Sequence, residues 1–111
     1  MKKIYHNLLN SLSGIKEGLK ENSFLLEIFG GVILMLYLSF SNFDQKLKLV
    51  IFLSYIILLA FELLNTAIEK LSDKITKKID PDIKKIKDLS SASVFLILIL
   101  IIILLIISLI Y

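Results

Sequence analysis

Glu62, Asn65, Glu69 and Asp73 recur every three or four residues within FELLNTAIEKLSDK, residues 61–74. At 100° per residue, the last three fall within about 60° of Glu62 on either side, so one helix face carries all four. The stripe is roughly 16 Å long at 1.5 Å per residue. The residues before it, 49–60, are apolar except for Ser54. The deep end of the stripe therefore sits at membrane depth, where an ionisable side chain is costly and marks a functional site. The plain alternative is a set of interhelical hydrogen bonds, which suits Asn65 better than Glu62 because a carboxylate is an expensive adhesive. Glu27 lies at the end of an earlier apolar run, on the side where Glu69 emerges. Glu27 and Glu69 together could hold Mg²⁺, which takes oxygen ligands and leaves room for phosphate oxygens; alternatively Glu27 is a helix-start anion facing water. Further on, Lys84, Lys87, Asp88 and Ser91 share a face at i, i+3, i+4 and i+7. A Lys there can neutralise phosphate as a point charge. Topology and solvation account for Lys84 and Lys85 without a further role.

The elements that must position these groups are helices. Ile4, Leu8, Leu12, Ile15 and Leu19 form one apolar stripe, which predicts an amphipathic surface helix over residues 4–20. FLLEIFGGVILMLYLSF predicts a first membrane span at about 24–41. Residues 28–40 alone are too few for a ~30 Å hydrocarbon core, so the span includes Glu27 near one interface. Gly30 and Gly31 permit close helix contact there, or are incidental. SNFDQKLK, residues 41–48, is a polar turn. The second span, about 48–72, carries Glu62 as the single charge among residues 49–68. A charged connection, ITKKIDPDIKKI, holds the only proline, Pro81, which can start the next helix. The third span is about 86–111, apolar from residue 94 on except for Ser108.

Composition narrows the function. The chain has 111 residues, is 57% hydrophobic and forms one domain, residues 1–111. A soluble helical bundle of this size could not bury so much apolar surface. With no Cys there is neither disulfide nor thiolate metal site. All 13 basic residues are Lys and the net charge is +3. Lys2, Lys3, Lys16 and Lys20 precede the first span, seven Lys from Lys70 to Lys87 lie between the second and third, and only Lys46 and Lys48 lie in the other loop. The positive-inside rule puts the two Lys-rich groups in the cytoplasm, which accounts for the basic charge without nucleic acid. Residues 1–20 lack the apolar core of a signal peptide.

Glu62-Leu-Leu-Asn65-Thr-Ala-Ile-Glu69, then Asp73, then Lys87-Asp88 with the small residues up to Val94, resemble the small prokaryotic diacylglycerol kinase family, which includes the undecaprenol kinases. The spacing from Asp73 to Lys87 is similar, and GIKEGLKENSFLLE resembles the family's opening segment more weakly. Asp80 stands where the family usually has His, and the family's N-terminal Arg is absent, with Lys3 nearest to it. The resemblance implies an all-α membrane protein, with a surface helix and three transmembrane helices, assembled as a homotrimer with shared active sites in the bacterial inner membrane. It further implies Mg-ATP as phosphate donor. By residue it implies Glu62 as catalytic base, Glu27 and Glu69 as metal ligands, and Asn65, Asp73, Lys87 and Asp88 around nucleotide and substrate; Ser91, on the same face as Lys87 and Asp88, is a further candidate there.

The chemistry agrees with that implication. Phosphoryl transfer needs alignment, charge neutralisation and an acceptor oxygen that can lose its proton. A lipid hydroxyl lies near the headgroup boundary and ATP arrives from the cytoplasm, so the site must lie at that interface. Glu62, the deepest carboxylate, can take the proton. Neither a G-x-x-x-x-G-K-[ST] loop nor an H-R-D loop is present. A small proton-coupled transporter would also use Glu62, but would leave Asp73, Glu27 and Lys87-Asp88 unexplained. Diacylglycerol is the expected acceptor and undecaprenol the alternative.

Overall fold

A computed structural model describes residues 1–111 as four helices: α1 Lys2–Gly18, α2 Asn22–Phe40, α3 Gln45–Ile75 and α4 Pro81–Ile110. The last three are long and apolar enough to cross a membrane. At 1.5 Å per residue the 19 residues of α2 cover about 28 Å, close to one hydrocarbon core. The 31 residues of α3 and 30 of α4 cover about 45 Å each, so both project well beyond the apolar layer. Glu69, Asp73 and Lys87 lie on those projecting ends.

Local chemistry sets the boundaries. Pro81 occupies the first turn of α4, where its missing N–H costs nothing, and the Asp80 carboxylate accepts hydrogen bonds from the backbone N–H of Asp82 (2.9 Å) and Ile83 (3.1 Å). Asp80 is thus the helix cap of α4. α1 stops at Gly18, short of the expected residue 20. Tight turns from Lys20 and Glu21 N–H back to Glu17 and Gly18 end it, and Glu21 turns extended to open α2. Gly18 is buried. A Cβ there would run into the Leu63 side chain and come within 3.3 Å of the Phe24 ring, so only glycine lets α1 rest on α3. At the opposite end of α2, the Lys48 ammonium donates to the Ser41 carbonyl at 2.6 Å and lies over the Phe43 ring, closing the α2–α3 turn.

α3 is the hub: it touches α1, α2 and α4, most extensively α4. Two small apolar clusters hold it, Leu34, Leu38 and Ile51 towards α2, and Leu58, Val94 and Ile101 towards α4. The Tyr37 hydroxyl and Ser108 Oγ, 3.0 Å apart, link α2 to α4. Only 14 of 111 residues are buried. The remaining apolar surface must be covered from outside the chain, by acyl chains or by protein.

Candidate active site

The buried side of α3 reads Ile51, Ser54, Leu58, Glu62, Asn65 and Ser72. This is the line that faces protein, and Glu62 and Asn65 belong to it at 6% and 8% exposure. Glu69 and Asp73 continue the stripe but are exposed. One helix edge thus changes from buried at Glu62 and Asn65 to open at Glu69 and Asp73.

Each member has a distinct environment. The Glu62 carboxylate has neither a hydrogen-bond donor nor a salt-bridge partner in the chain. Asn65 donates from Nδ2 to Glu69 Oε1 at 3.1 Å, while its Oδ1 is buried with no partner at all. A buried acceptor left open beside an unpaired carboxylate is a costly arrangement that an incoming hydroxyl or water would satisfy. Asp73 Oδ1 accepts from Lys87 Nζ at 2.7 Å, which ties the exposed end of the stripe to the start of α4. Lys84 pairs with Asp88 at 2.6 Å one turn along α4. The face expected to carry Lys84, Lys87, Asp88 and Ser91 is therefore divided: Lys87 turns to α3, and Lys84 and Asp88 turn to each other. Ser91 is exposed, and the buried serine at this level is Ser90.

Glu27 is half-buried on α2. The Tyr55 hydroxyl of α3 donates to the Glu27 backbone carbonyl and lies 3.5 Å from its Oε2. Glu27 also stands within electrostatic reach of Glu62. The structure joins it to Tyr55, about two turns from Glu62 along α3, while the hydrogen-bond partner of Glu69 is Asn65. Glu21, at the α1–α2 corner, is the carboxylate that reaches the Glu69 level, through a 2.8 Å ion pair with Lys70. Nearby, Glu17 accepts from Lys20 at 3.0 Å, and that hydrogen bond and charge hold its carboxyl below the ordinary carboxylate range. Neither Glu21 nor Tyr55 is apparent from spacing along the chain, because both act across a helix crossing.

The donor chemistry suits a hard cation. Glu69 is exposed and has one carboxylate oxygen committed to Asn65 and the other free, which fits Mg²⁺ held by one or two carboxylates with phosphate and water completing its shell. Beside the stripe, between α1 and α3, lies an open cleft of about 440 Å³ lined by Ser11, Gly14, Glu17, Thr66 and Lys70 among others. That is within the size range of small-molecule sites. The arrangement offers an unpaired base at depth, an open acceptor beside it and cations at the exposed end.

No curated protein matches the chain. The family model described as prokaryotic diacylglycerol kinase matches residues 9–109.

Proposed function

The chain belongs to the prokaryotic diacylglycerol kinase family, a family of small membrane lipid kinases, and from that premise we propose that it transfers the γ-phosphoryl group of ATP to the hydroxyl of diacylglycerol, giving phosphatidic acid. The observation that carries this reading is Glu62: a buried carboxylate without a partner, on a helix edge that runs out to the Asp73–Lys87 pair.

In the proposed reaction the lipid hydroxyl oxygen attacks the γ-phosphorus. A new O–P bond forms, the bond to the β–γ bridging oxygen breaks, and ADP leaves with that electron pair. Glu62 takes the hydroxyl proton. The open Oδ1 of Asn65 accepts from the incoming hydroxyl and orients it towards Glu62. Lys87, released from or shared with Asp73, offsets charge on the moving group. Asp88 and Ser91 border the nucleotide from α4. Glu69 and Glu27 would hold Mg²⁺, whose charge, when bound, offsets that of the phosphates.

The same reading includes a homotrimer with shared sites in the bacterial inner membrane, the active site at the cytoplasmic face and α1 lying along that surface. The small buried fraction of a single chain and the cytoplasmic bias of Lys support it. The test is competition. Purified protein in mixed micelles receives labelled Mg-ATP with diacylglycerol and undecaprenol together. Label in phosphatidic acid supports the reading, and label in undecaprenyl phosphate replaces the acceptor. No labelled lipid, with proton-driven flux in vesicles, overturns the kinase assignment.

A further inference from the structure

Tyr55 is the one hydroxylated aromatic between Leu49 and Ala60. A phenol at membrane depth needs a hydrogen-bond partner, because lipid supplies none. It finds one on the neighbouring helix, at the backbone carbonyl of Glu27, with the Glu27 carboxylate 3.5 Å away. A carbonyl has two lone pairs, so it can take this donor in addition to a helical one.

The ring has a matching seat. A Cβ on Gly30 would lie 2.9 Å from the Tyr55 oxygen, and one on Gly31 would lie 2.8 Å from its ring. Both are closer than side chains tolerate, so the two glycines form a notch the shape of this ring. Glycine is a poor helix former, and a pair of them mid-helix is explained by that close approach. The ring also packs against the Leu34, Leu38 and Ile51 cluster that joins α2 to α3. Open cavities of about 330 and 640 Å³ are both lined by Tyr55. Seven residues further along α3, two turns less about 20°, stands Glu62. The helix that holds the proposed base therefore also holds the clamp on Glu27.

We propose that Tyr55 is a positioning residue for phosphoryl transfer: seated in the Gly30–Gly31 notch and bonded to Glu27, it sets the depth and direction of Glu27 relative to Glu62. The proposal rests on the lipid-kinase reading above. Its prediction concerns turnover and Mg²⁺ dependence, since Glu27 is one of the carboxylates proposed to hold the metal.

The test uses Tyr55→Phe, which keeps the ring in its seat and removes only the hydroxyl. The expected result is a kcat lower by roughly tenfold, the upper end for one net hydrogen bond, with a higher Mg²⁺ concentration needed for half-maximal rate. In the Glu27→Ala background, adding Tyr55→Phe should cost nothing more, because the group it positions is gone. Gly31→Ala, which pushes the ring out, should reproduce the kcat loss. A second readout needs no turnover. The chain has no Cys, so spin labels attached through Phe29→Cys and Leu64→Cys, both exposed positions, report the α2–α3 separation within a chain once diluted into unlabelled protein. The distance distribution should broaden in Tyr55→Phe. Wild-type kcat in Tyr55→Phe, losses that multiply fully with Glu27→Ala, or an unchanged distance distribution would each overturn the inference while wild-type protein still labels lipid. Wild-type protein that labels no lipid sinks the kinase reading, and this inference with it.

Discussion

Glu62→Gln should move activity and stability in opposite directions. The side chain is 6% exposed and has no donor or cation in the chain to offset its charge. Its replacement has nearly the same shape, so no cavity opens. Removing the charge recovers part of the cost of holding a carboxylate at membrane depth, on the order of 1 kcal/mol or more. The new amide also brings a donor one turn from the unpartnered Asn65 Oδ1, a second gain of about 1 kcal/mol if the two meet. Activity should fall by about 10²–10⁴-fold, the usual contribution of a positioned general base. The assay pairs transfer of labelled phosphate into lipid with thermal unfolding of the same micellar sample. A variant at least as stable as wild type but nearly inactive fits a base maintained at a cost to folding. A variant that loses activity and about 2 kcal/mol of stability together refutes the reasoning, because Glu62 would then be holding helices together. Near-normal turnover refutes it from the other side.

The remaining expectations concern the framework and the charges. Asp80→Ala removes the α4 cap and should cost about 1 kcal/mol in thermal or denaturant unfolding, with kcat little changed. Lys87→Met breaks an ion pair whose side chains are 37% and 53% exposed, so stability should change by less than about 1 kcal/mol, while phosphate transfer drops by about 10²-fold. Gly18→Leu should lift α1 from α3 at a cost of about 1–3 kcal/mol, read out as faster proteolysis of the α1–α2 corner. Chelation of divalent cations should abolish transfer, and Mg²⁺ should restore it better than Ca²⁺, whose larger and looser coordination shell suits phosphate alignment less well.

Much of this protein is legible along the chain because the relevant properties are local. Three apolar runs long enough to cross a bilayer follow from composition alone, as does the single face bearing Glu62, Asn65, Glu69 and Asp73. Pro81 as a helix start follows from a ring that fixes φ and a missing N–H. What the sequence left open was partner choice. Spacing grouped Lys84, Lys87, Asp88 and Ser91, yet the fold sends Lys87 across to Asp73 and pairs Lys84 with Asp88. Spacing placed Glu27 opposite Glu69, yet the fold gives Glu27 to Tyr55 and brings Glu21 to Lys70. Gly30 and Gly31 read along the chain as permitting close helix contact or as incidental, and the fold shows which side chain makes that contact, Tyr55 of α3. Periodicity decides which side of a helix a residue is on. Which residue it meets depends on where two helices cross and how far one slides along the other, and that is settled only when the side chains pack.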